Sequence, residues 1–118
     1  MAKSLLDRND FEGAFKEYQK VLTLSGTNPP GDEALYHMGM IHVHYGNPKR
    51  DYSKSLVFYR RLVKDYPQSP RIEQARLWIG MLQEVERLNQ SLQKCQQTLE
   101  ETKKVDIEIE EKKREKTK

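Results

Sequence analysis

His37, His42 and His44 lie close together in one short stretch, and histidines are the side chains best suited to bind metal or move protons near neutral pH. His37 and His44 are seven apart and share a helical face. A metal site wants ligands at i and i+4 backed by carboxylates, and no such set surrounds these three. They read as core or surface histidines. The acidic pairs Asp32-Glu33 and Glu84/Glu86 sit at a helix start and on an exposed face, with no nucleophile or Gly-rich loop to work with. The glycines make no phosphate cradle. Cys95 is the single cysteine, so no internal disulfide is available, and no CxxC pair or Cys/His set stands at zinc spacing. These residues imply no enzyme, no metal and no cofactor.

The elements that carry them are helices. In DFEGAFKEYQKVLTLSG the apolar residues Phe11, Ala14, Phe15, Tyr18, Val21 and Leu22 recur every three or four positions, with Asp10 placed to cap the start and Gly26 to stop the end. Pro29 and Pro30 then forbid continuation. The spacing resumes through Ala34, Leu35, Met38, Ile41, His42 and Tyr45 and predicts a second helix ending near Gly46. A third starts at about Asp51 and carries Tyr52, Leu56, Tyr59, Leu62 and Val63 as far as Pro67. A fourth begins near Pro70 and meets no helix breaker after Gly80, so it can run for tens of residues. Strict alternation occurs only in VDIEIEE, between Glu- and Lys-rich flanks that disfavour strands. The fold class read from the sequence is all-α.

Composition narrows the function. With 118 residues, 33% of them charged, the chain holds one small unit or a short array. A net charge of +3 built from both signs gives no broad basic field for a polyanion, so nucleic acid is not an expected partner. No apolar run approaches the ~20 residues of a membrane span, and MAKSLLDRND has no signal-peptide block.

Self-similarity is the main signal. Asp10-Phe11 align with Asp51-Tyr52, Ala14 with Ser55, Tyr18 with Tyr59 and Val21 with Leu62; Ala34 and Gly39 align with Ala75 and Gly80. Over about Ser4 to Val85 this pattern resembles the tetratricopeptide repeat, a helix-turn-helix unit with small residues where paired helices touch and aromatics between neighbours. The resemblance implies two to three repeats, the first truncated because the chain starts inside its first helix, in a domain 1–86. Residues 87–118 are expected to be an extended helix, a coiled coil or a solvated tail. In this family His42 stands where a core aromatic is common. His44 to Asp51 becomes the turn between two helices of one repeat, about four residues longer than the family's usual connection. FYRRLVKDYPQSPRIEQARLWIG is similar to a linker of bacterial envelope repeat lipoproteins of the barrel-assembly and Tol-Pal-associated kinds, and of small ones found with sensor kinases. That similarity implies a periplasmic, outer-membrane-associated lipoprotein whose precursor carries a leader and a lipid anchor absent from this chain. A cytoplasmic protein is the alternative left open.

The implied function is a non-catalytic scaffold that holds a protein segment, a peptide or a helix, in the groove of the repeats. The first helix of each repeat should turn Tyr36, Met40, Val43 and His44, then Leu77 and Met81, toward that groove, where Met and aromatic side chains adapt to peptide surfaces. The carboxylate-clamp activity of some repeats is not implied, because Tyr36, His37, Met40, Gln74 and Trp78 stand where Lys, Asn and Arg are needed. From Trp78 and Met81 the apolar positions run on through Val85, Leu88, Leu92, Cys95 and Leu99 as a heptad seam until Asp106 interrupts it, which suggests a homo-oligomer. Trp78 to Val85 is better read as a cap on the array. Cys95 fits the seam as a small core residue, with an interchain disulfide as the sharper alternative. Two rivals remain: a structural module whose groove is filled by its own long helix, and a basic surface of Lys49, Arg50, Lys54, Arg60, Arg61 and Lys64, with the first three on one rim. The rim is as simply explained by solvation, and the later residues by the helix dipole.

Overall fold

A computed structural model describes residues 2–116, so Thr117 and Lys118 of the expected tail lie outside the described residues. Five helices follow in order: α1 (Ala2–Asp7), α2 (Phe11–Ser25), α3 (Gly31–Val43), α4 (Tyr52–Asp65) and α5 (Ile72–Lys116). No strand occurs among the described residues. The chain divides into two units, one up to Gln83 and one from Glu84, beside the expected division after residue 86.

In the first unit consecutive helices pack on one another: α1 on α2, α2 on α3, α3 on α4. The two aligned helices start with the same device. The Asp10 carboxylate accepts from the Gly13 N–H at 2.9 Å, and the Asp51 carboxylate accepts from the Lys54 N–H at 3.2 Å. Each such cap is worth about 1 kcal/mol, and together they fix where α2 and α4 begin. Gly26 closes α2 at φ 62°, a conformation that suits glycine.

The aligned small residues lie where helices touch. Ala14 and Ser55 are both fully buried. The Ser55 hydroxyl donates to the Gly39 carbonyl at 2.8 Å, pinning α4 to α3. A Cβ on Gly39 would stand 2.6 Å from Cζ of Tyr59, so the missing side chain is what lets that ring in. Trp78 stacks parallel to Tyr59 with centroids 6.0 Å apart, and Ile72, Ala75 and Leu82 bring the first turns of α5 into the same core. A smaller cluster of Phe11, Ala14 and Ile41, with Leu5 and Leu6 against it, joins α1 to the rest.

Two expectations are corrected at the second helix. α3 stops at Val43 instead of near Gly46, and Tyr45, expected on its apolar face, is 90% exposed. The cause is Asn47, which is buried: its amide donates to the Ile41 carbonyl at 2.9 Å, and its Oδ1 accepts from the Lys49 N–H at 3.0 Å. That side chain caps the helix end earlier than glycine would. The Asp51 N–H then reaches the His42 carbonyl at 2.9 Å, which closes the long turn onto α3.

The first turns of α5 behave as a cap. Nothing comes within 4 Å of the Cβ that Gly80 lacks, unlike Gly39, and Arg76 and Gln83, aligned with Leu35 and His42, are exposed. A polar face stands where a further repeat helix would need an apolar one.

In the second unit α5 continues to Lys116, and every described residue except half-buried Val85 is exposed. Among the described residues no helix is long and apolar enough to cross a membrane.

Candidate partner-binding face

Of the groove residues read from the sequence, Tyr36, Met40 and Val43 lie half-buried along α3, with Tyr36 and Val43 packed against the core. Leu77 and Met81 stand out on α5 at 66% and 50% exposure. An i, i+4 pair shares one side of a helix, so these two make a short apolar ridge. His44 stands apart from them. It follows the last turn of α3, its ring lies 4.8 Å from that of Phe11, and its Nδ1 accepts from the Gly46 N–H at 2.9 Å. It serves the turn.

A polar cluster that periodicity does not announce lies beside Tyr36. The Arg71 guanidinium sits 4.5 Å above the Tyr36 ring, and its Nε and Nη2 donate to the two Glu33 oxygens at 2.8 and 3.1 Å. Nη1 donates to the Gln74 side chain at 2.9 Å. Glu33 also faces His37 at 3.5 Å, and His37 stacks on Tyr18 at 5.0 Å. The hydrogen bond from Arg71 to Glu33 raises the guanidinium pKa above its already high value, so the guanidinium stays charged. The forked pair holds the start of α5 to the first turn of α3 and keeps the Tyr36 ring covered on one face. Glu33 and Arg71 are far apart in sequence, so no helical spacing links them. The sole sequence signal was Arg71 following Pro70 at a helix start.

His42, where the resemblance implied a core aromatic, is half-buried among aromatic rings. Its ring stacks on Phe58 at 5.5 Å and meets Phe15 edge-on at 5.3 Å, and both ring nitrogens are buried without a hydrogen-bond partner. Burial lowers its pKa, Lys54 lowers it further, and Asp51 offsets part of this; His37 is lowered mainly by burial against the opposing pull of Glu33. A histidine whose folded pKa is depressed leaves stability untouched above the ordinary value of 6.5. As pH falls below that value the unfolded chain takes up the proton first, so stability drops until the folded pKa is passed. Thermal melts are therefore expected to weaken from pH 7 toward pH 5, and His42→Phe is expected to flatten that slope. An unchanged slope in the variant would contradict the neutral state of its buried ring nitrogens.

The rim residues Lys49, Arg50 and Lys54 are exposed on the long turn and the first turn of α4. Arg50 is tied to the Asn47 carbonyl at 3.4 Å, and Arg61 pairs with Asp65 at 3.5 Å, so part of this charge is already engaged. No group of three or more metal-binding side chains occurs among the described residues. Along the seam Leu88, Leu92, Cys95 and Leu99 are exposed. Trp78 is half-buried against the core, while Leu82, which the seam spacing passes over, is the buried residue. The helical period of 3.6 that lays α5 on the core selects 72, 75, 79 and 82, and the seam begins only beyond it.

Residues 33–69 match the family model described as tetratricopeptide repeat. The match opens in the first turn of α3 and closes in the turn after α4, so it covers one helix-turn-helix unit. The fold is all-α and tetratricopeptide-repeat-like, with a long C-terminal helix. Repeats of this family are non-catalytic and generally mediate binding between proteins. No curated protein and no solved structure matches the chain.

Proposed function

We propose that the chain is a non-catalytic interaction scaffold that takes a segment of a partner protein, as peptide or helix, along α3 and the first turns of α5. The observation that carries this reading is the contrast between two faces of α5: Leu77 and Met81 are exposed and apolar, whereas Arg76 and Gln83, also exposed, are polar. A helix that only capped the array would gain by making both faces polar. Tyr36, Met40 and Val43 supply the α3 side, with the Arg71–Glu33 fork beside Tyr36. The helix beyond Glu84 is the arm for assembly or docking.

The place of action we propose is the bacterial envelope, with the mature protein lipid-anchored. Its support is the similarity of YPQSP and its flanks to envelope repeat lipoproteins. Labelling of the native protein by a radioactive fatty acid tests it, and an unlabelled protein contradicts it.

The methionines give a direct test of the groove. Met38 is 2% exposed in the core, Met40 is half-buried and Met81 is exposed. With methyl-labelled methionine, a peptide selected from a display library for binding to this chain is expected to shift the Met40 and Met81 signals and leave Met38 in place. Binding that leaves Met81 unmoved would put the site elsewhere.

A further inference from the structure

The scaffold reading leaves open what meets the outer part of α5. Leu88, Leu92 and Leu99 stand in water at 53%, 56% and 55% exposure, with Cys95 exposed between the last two. Counted from Val85, the steps are three, four, three and four, fourteen residues in four steps, which is the heptad repeat of two helices wound on one another. The stripe is also narrow. A helix that docks on a domain surface shows an apolar face at least ~100° wide, and here polar residues close in on both sides.

Those flanks say which helix fits. Between Leu88 and Leu99 the positions bordering the stripe are Asn89, Ser91, Gln96 and Thr98, all uncharged; the charged border residues Glu84 and Lys103 stand at its two ends, and Glu86, Arg87, Lys94, Glu100 and Glu101 lie on the outer faces. Border charges are what select an unlike partner and what repel an identical one. With none along the middle of the stripe, an identical helix meets no repulsion there and brings an identical stripe. The pattern ends at Asp106, which would set two carboxylates together in an in-register pair.

We infer that a second copy of this chain covers the stripe, two α5 helices pairing over about Val85 to Thr102. This rests on reading the outer part of α5 as an assembly arm and is independent of the groove. The paired length is roughly 27 Å at 1.5 Å per residue, so the pair is short and dissociates on dilution. An isolated helix gains much of its order from such packing, so the helicity of this segment rises with pairing.

Sedimentation equilibrium of the full chain in reducing buffer, from about 1 to about 500 µM, reads the pairing directly. The mass is expected to climb from the 14.0 kDa of one chain toward twice that. Leu92→Glu with Leu99→Glu is expected to weaken pairing at least ~30-fold, as loss of buried apolar anchors does. Both leucines are exposed in the single chain, so the melting midpoint of the repeat unit stays put and folding is not at issue. A bismaleimide joining Cys95 to Cys95 should trap the dimer in the parent and not in the variant. A single-chain mass at every concentration overturns the inference, as does a trimer or a dimer that survives both glutamates. Leu77→Lys should leave the pairing unchanged, so a failed arm and a failed groove give different results.

Discussion

Tyr59→Ala is expected to cost about 3–5 kcal/mol, enough to leave a unit of this size largely unfolded at room temperature. The ring is fully buried, fills the space that Gly39 opens, and touches Tyr36 and Trp78 with centroids 5.8 and 6.0 Å away. Its removal leaves a cavity in the core cluster that α3, α4 and α5 share. Tyr59→Phe separates shape from polarity. The hydroxyl is buried beside the Ser55 side chain, and burial pushes its pKa far above the usual phenol range. Losing it should therefore change stability by no more than about 1 kcal/mol in either direction. Urea titration followed by circular dichroism reads both variants. A Tyr59→Ala protein that melts like the parent would mean that α5 is not held to the repeat through this ring.

The second large effect is on binding. Leu77→Lys combined with Met81→Lys is expected to reduce affinity for a groove ligand at least ~30-fold, about 2 kcal/mol, with little change in the melting midpoint. Both side chains are half or more exposed, so lysine is tolerated by the fold, yet each puts a solvated charge where an apolar contact is required. Arg76→Lys with Gln83→Lys, on the polar face, is the matched control and should bind as the parent does. Isothermal titration with a selected peptide distinguishes the outcomes. Equal losses from both pairs would mean a general charge effect, and the ridge would lose its assignment.

Much of the repeat was legible because its signals are local and recur. Asp10 and Asp51 are capping residues by type and position, Ala14 and Ser55 are small where helices cross, and Gly39 faces Tyr59; each aligns with a copy elsewhere in the chain. The end of α3 was hidden because a glycine and a proline stand nearby, while the residue that stops the helix, Asn47, acts by reaching back to the Ile41 carbonyl. Leu82 was passed over because the seam spacing was carried back through Trp78 and Met81 into turns that follow the core instead. His44 was placed in the groove by carrying the helix on to near Gly46, past its end at Val43. The Arg71–Glu33 fork is a contact between distant residues, which no single-helix pattern encodes. Of the groove, the α5 half was readable as apolar residues at i and i+4, whereas its exposure depends on α5 ending the stack.

The central claim is that one face of α3 and α5 holds a partner segment. A photo-crosslinking amino acid placed in turn at 77, 81, 76 and 83, in the full chain and in its native cells, tests this most directly. Crosslinks from 77 and 81 to one and the same segment of one protein, with none from 76 or 83, are the predicted result. Crosslinks spread equally over all four positions, or confined to 76 and 83, would contradict it.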